Sequence, residues 1–186
     1  QTCALPISRG AKRGVNIGVL GRNSDEWVIA HYGVAKSGAT LVPVNYLLAD
    51  PELRFVLENA EVAMLFVSPE FTPVVNSLRP ALPRLKHVFL LEADSDEAQQ
   101  PEWPALKRLL QDATPHAPND DIREDDVYTL MYTSGTTGKP KGVMSSHRAR
   151  IHVAIPGITD YRMHASHVTC LPLPLFHMGG LNTCFT

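Results

Sequence analysis

Apolar residues along this chain alternate between two spacings. The run VNIGVL is short and continuously apolar, as strands buried on both faces of a parallel sheet are. Trp27, Ala30, His31, Val34 and Ala35 then recur at helical spacing and make one helix face. Asn23, with Glu26 three residues on, predicts the start of that helix, and Gly38 predicts its end. TLVPV (40–44) returns to strand. DPELRFVLENA (50–60) predicts a second helix with Asp50 as N-cap, Pro51 in the first helical position, and a stripe of Leu53, Val56, Leu57 and Ala60. VAMLFV (62–67), HVFLL (87–91) and VYTLMYT (127–133) are further strand candidates. This alternation predicts an α/β fold, a mostly parallel sheet flanked by helices.

Between 92 and 126 the pattern breaks. Prolines and acidic residues dominate, and PALKRLLQ is the one short helix candidate, so the stretch reads as a solvated surface excursion. At 186 residues the chain is long enough for one well-buried domain. A net charge of −2 argues against a nucleic-acid partner. The longest apolar runs, such as AMLFV from Ala63 to Val67, are far too short for a transmembrane segment. Three widely spaced cysteines, Cys3, Cys170 and Cys184, make neither a disulfide framework nor a zinc site, and the expectation is a reduced, cytoplasmic protein. Cys170 and Cys184 are expected to pack as small apolar residues. His152, His164 and His167 have no Cys or acidic partner at ligand spacing, so no metal is expected there. Residues 1–8 read as a non-native scar, because QTCALPI is what a common sequencing adaptor yields in one reading frame. At the other end GGLNTCFT stops in mid-pattern, as an internal fragment would.

The densest chemistry lies in YTSGTTGKPKG (132–142), where glycines, hydroxyls and two lysines follow a strand directly. Such a turn aims backbone N–H groups and Ser/Thr donors at an anion, and its glycines permit close approach. A Walker A loop is excluded twice over. With Gly138 and Lys139 in the GK slots, the first glycine position is Thr133, and the magnesium-binding hydroxyl position is Pro140. Pro140 also offers no N–H and fixes φ, so the loop does not turn into a phosphate-capping helix.

Extended by one residue, YTSGTTGKPKGV resembles the phosphate-binding signature of the adenylate-forming (AMP-binding) superfamily, which comprises acyl- and aryl-CoA synthetases, luciferases and peptide-synthetase adenylation domains. IGVLGRNSDEWVIAHYGVAKSGATLVPVNYLLADPELRFVLENA resembles that family's first strand–helix–strand segment, and LPLPLFHMGG (171–180) its substrate-site segment. The resemblance implies that residues 9–186 are part of the large N-terminal domain, truncated at its C-terminal end. It implies a carboxylic acid–CoA ligase of fatty-acid or aryl-acid type, with ATP, Mg2+ and coenzyme A. In the family the loop holds the β- and γ-phosphates, which here implicates Thr133, Ser134, Gly135, Thr136, Thr137, Gly138, Lys139 and Lys141. Thr136 corresponds to the magnesium ligand. Lys141 matches the family's lysine, whereas Lys139 stands where the pattern admits many residues. The family's later acidic magnesium ligand, ribose-binding Asp and C-terminal catalytic Lys follow beyond Thr186, so this chain alone is expected to be inactive.

His177 lies between Phe176 and Met178 with two glycines after it, and its ring is expected to be partly desolvated and neutral. One reading is a buried, satisfied histidine. The resemblance instead puts it beside the acyl carboxylate, as a group that positions substrate. Amino-acid-activating relatives carry an Asp at this position, so a simple carboxylic acid fits better than an amino acid. The alternatives are a nucleotide-binding or interaction module of the same fold without catalysis, and an amino-acid adenylation domain. Arg148 and Arg150 are expected to be surface charges on a helix opened by His147 and capped by Ser145 or Ser146.

Overall fold

The computed structural model describes residues 9–92, 103–112, 121–133, 139–168 and 170–184. Among the described residues six strands form one sheet in the order β4-β3-β1-β2-β5-β6. They are β1 (Asn16–Leu20), β2 (Thr40–Pro43), β3 (Met64–Val67), β4 (His87–Leu90), β5 (Val127–Thr133) and β6 (Lys141–Ser146). All neighbours pair in parallel except β5 and β6, which form an antiparallel hairpin. The helices are α1 (Asp25–Ser37), α2 (Asp50–Asn59), α3 (Thr72–Leu78), α4 (Leu106–Asp112), α5 (His147–Thr159) and α6 (Met178–Cys184). Among the described residues no helix is long and apolar enough to cross a membrane.

Alternating strand residues feed two cores, as a sheet covered on both faces requires. Ile17, Val19, Met64 and Phe66 pack with Trp27 and Val34 of α1 and with Leu181 of α6. Leu20, Val42, Leu65 and Val67 pack on the other face with Leu53 and Leu57 of α2 and Val75 of α3. Both predicted stripes therefore face the sheet, with Ala35 only half-buried. Gly38 closes α1 at φ 76°, a left-handed turn natural to glycine, and its N–H reaches Ala35 O at 3.2 Å.

Local starts differ by one residue from the expectation. Ser24, not Asn23, caps α1, its Oγ accepting from Trp27 N at 3.1 Å. Ala49, not Asp50, is the N-cap of α2, and the Glu52 carboxylate accepts the Ala49 N–H at 3.1 Å. At α5 the expectation holds, because Ser146 Oγ accepts from Ala149 N.

Two burial expectations are corrected. The 92–126 stretch is not wholly solvated, since Trp103, Ala105 and Leu106 are buried. Ala105 bridges Leu90 in parallel, which brings the indole to the sheet beneath the Arg79 guanidinium, 5.9 Å away. Cys170 is exposed rather than packed, because the chain at 161–168 that precedes it runs over the surface. The side chain of Cys184 lies outside what is described.

One buried ionisable group dominates the core between α1, β5 and α5. His31 is 1% exposed, and its Nε2 meets the Tyr128 hydroxyl. Burial, helped by the Arg150 cation, pulls its pKa down to about 3. The unfolded chain takes up this proton near pH 6.5 and the native chain does not, so stability present above that pH is lost as pH falls towards 3. By pH 5 the linked loss is about 2 kcal/mol. Burial lowers the His147 and His87 pKa values too, with the same sign. Urea midpoints at pH 7 and pH 5 are expected to converge in His31→Gln, whose amide still meets Tyr128. An unchanged difference between the two pH values would show that His31 is not the source.

Candidate active site

The phosphate-loop candidate sits in a hairpin. Tyr132 pairs with Gly142 and Thr133 with Lys141, so the chain between them is pinched at its base. Ser134, Gly135, Thr136, Thr137 and Gly138 lie outside the described residues. With them lie the candidate magnesium ligand and most of the tip expected to be exposed; Lys139, at its end, is exposed. An antiparallel strand, not a helix, follows the loop, in keeping with Pro140. The Lys139 ammonium is 6.0 Å from the Phe55 ring centroid on α2. Lys141 is exposed and, by strand alternation, shares a face with Val143.

Beside the hairpin lies a cavity of about 460 Å³, within the range of small-molecule sites. It opens at the carboxyl ends of β2 and β5, where open α/β sheets bind ligands. Val56, Met131, Val143, Phe176 and Met178 supply apolar wall, while Asn45, Tyr132, Thr133 and His177 supply polar groups. The Tyr132 hydroxyl donates to Asn59 Oδ1 at 2.6 Å, and burial raises its pKa, so it stays a neutral phenol. Phe176 meets the Tyr46 ring edge-on at 4.9 Å between centroids, and the Arg22 guanidinium lies 5.3 Å from that same Tyr46 centroid.

His177 lines the cavity, and it is exposed rather than desolvated as the sequence reading expected. Its apolar neighbours do not cover it, because it stands at the start of α6. There Leu175 and Leu181 turn into the core, while Phe176 is half-buried and Met178 exposed. The imidazole caps the helix, with Nδ1 accepting the Gly179 N–H at 3.2 Å. An accepting Nδ1 leaves the proton of the neutral ring on Nε2, so the group offered outward is a donor. Gly180 is needed for close approach, since a Cβ there would stand 2.1 Å from the Pro174 carbonyl oxygen.

Two residues that local patterning assigns elsewhere hold this segment. Asn23 Nδ2 donates to Leu173 O at 2.9 Å, and its Oδ1 accepts from Leu175 N at 2.8 Å. Arg150 is not the surface charge expected. Its guanidinium donates to Leu181 O at 2.8 Å, to Asn182 O at 3.1 Å and to Asn182 Oδ1. Arg148 does remain on the surface, with Asp125 Oδ1 at 3.0 Å and Glu124 Oε2 at 3.4 Å. Neither Asn23 nor Arg150 carries a local signal, because their partners are far away in sequence.

A family model described as AMP-binding enzyme matches residues 3–186. The fatty acid–acyl-carrier-protein ligase ScoC of Streptomyces coeruleorubidus is 35% identical over 92% of this chain and 32% of its own length. The indoleacetate–CoA ligase of Aromatoleum aromaticum is 35% identical over 96% of this chain and 34% of its own. The chain thus spans about a third of the length of these curated relatives. Among solved structures, the inhibitor-bound N-terminal domain of FACL13 from Mycobacterium tuberculosis matches with a TM-score of 0.78 at 30% identity. That match covers 99% of this chain and 44% of the other.

Proposed function

This chain belongs to the AMP-binding enzyme family, and from that premise we propose that the whole protein is a carboxylic acid–CoA ligase acting on a fatty or aryl acid. A carboxylate oxygen attacks the α-phosphorus of ATP, the bond to the β-phosphate oxygen breaks, and pyrophosphate leaves. The thiol sulfur of coenzyme A then attacks the acyl carbon of the adenylate, its proton passes to solvent, and AMP leaves.

The observation that carries this reading is the placement of two motifs at one cavity. The hairpin bearing YTSGTTGKPKG and the segment bearing His177 both border it. Negative charge builds on the departing pyrophosphate, and the N–H, hydroxyl and ammonium donors of residues 133–141 would stabilise it. Mg2+ bound with the triphosphate, held by Thr136, would supply further neutralisation. The Nε2–H of His177 would orient the acid's carboxylate without adding a competing charge. Aryl and fatty acids fit the Phe176, Met131 and Val143 wall, and no carboxylate stands at position 177 to pair with an ammonium group.

The test is acid-dependent ATP–pyrophosphate exchange by the whole protein across a panel of fatty, aryl and amino acids. Exchange is expected with fatty or aryl acids and not with amino acids. Exchange with amino acids alone would make it an amino-acid adenylation domain. Nucleotide binding without any exchange would make it a module without catalysis.

A further inference from the structure

We infer that Asn23 and Arg150 are positioning residues that set the affinity for the carboxylic acid, by fixing from two ends the segment that presents His177. The inference rests on the functional reading above. The segment needs such support, because α6 spans only Met178–Cys184 and a helix that short has little stability of its own. Its geometry comes from outside. At the near end Asn23 uses both halves of one amide, donating to Leu173 O and accepting from Leu175 N. Asn23 itself is anchored between β1 and the Ser24-capped start of α1. At the far end the planar Arg150 fork, fixed on α5, takes the Leu181 and Asn182 carbonyls, placing a cation at a helix C-terminus.

Between the clamps the backbone is continuous in its hydrogen bonding. His177 N donates to Pro174 O at 3.1 Å, and Leu181 N donates to His177 O at 2.9 Å. A displacement at either end therefore moves the imidazole, and a shift of about 1 Å in a positioning group can lower a rate on the order of 100-fold. Among the described residues Asn23 makes no contact with the β5–β6 hairpin, and Arg150 touches it only at Tyr128, near the start of β5 and five residues before Thr133, so ATP contacts at the loop end stay as they are. The consequence is a selective effect on the acid.

The experiment uses the whole protein carrying Asn23→Asp or Arg150→Met. A carboxylate at 23 can still accept from Leu175 N but cannot donate to Leu173 O. Each variant is expected to raise the KM for the acid about tenfold while the KM for ATP stays within about twofold. Arg150→Lys should restore part of the loss. In a His177→Ala background both substitutions should add almost nothing. Backbone amides of residues 171–182 should exchange faster, with those of β1 to β4 unchanged, which also reports that the fold persists. Asn23→Ser, with one hydroxyl in place of the two-ended amide, serves if Asn23→Asp does not fold. Unchanged acid KM, an equal rise in both KM values, or full additivity with His177→Ala would overturn the inference. An unsubstituted protein without acid-dependent exchange would overturn the functional reading instead. The clamp would then be decided by amide exchange, and unchanged rates at 171–182 would overturn it too.

Discussion

Lys141→Ala in the whole protein is expected to lower acid-dependent pyrophosphate exchange about 10- to 150-fold, and Lys139→Ala far less. A hydrogen bond to a charged group contributes roughly 1.5–3 kcal/mol, and each ~1.4 kcal/mol is one decade. The two lysines differ in how they are held. Lys141 opens β6, where pairing with Thr133 fixes its backbone, and it shares a face with the cavity residue Val143. An ammonium so placed needs little reorganisation to meet a phosphate oxygen, which is what makes it effective in the transition state. Lys139 precedes the paired residues, is exposed, and has its charge over the Phe55 ring at 6.0 Å. Equal losses in the two variants would contradict this division.

The β–α alternation was legible because each buried strand is a continuous apolar run and each covering helix carries a stripe. Both are local patterns, and the sheet follows from them. What was not legible depends on contacts made across long stretches of chain. Asn23 and Ser24 are both good N-cap residues, and nothing local says that Asn23 is drawn off to Leu173 and Leu175. Arg148 and Arg150 look alike on one helix, yet only Arg150 meets the end of α6. Trp103 sits among prolines and acids, and its burial follows from the bridge between Leu90 and Ala105. Of the candidate site, YTSGTTGKPKG and His177 stood out by residue type, whereas the hairpin and the cavity they border did not, because both depend on contacts between separate elements. The exposure of His177 was not legible either, because apolar neighbours at a helix start point in different directions.

That exposure changes the reason for the second large effect but not its direction. His177→Ala is expected to lower the rate of adenylation on the order of 100-fold, by loss of orientation, and to raise the KM for the acid more than the KM for ATP. Desolvation is not what fixes the ring; its own cap does, because Nδ1 is occupied by the Gly179 N–H. The alanine variant therefore removes two things at once, an N-cap worth about 1 kcal/mol and the Nε2–H donor. His177→Asn separates them, since Asn is a good N-cap whose shorter side chain cannot place a donor where Nε2 stands. In the asparagine variant thermal stability should return close to that of the unsubstituted protein, while the acid KM stays raised. Steady-state kinetics with each substrate varied in turn reads both. A selective loss of ATP affinity with carboxylate kinetics unchanged would move His177 to the nucleotide. Full recovery of acid affinity in His177→Asn would reduce its role to holding the start of α6.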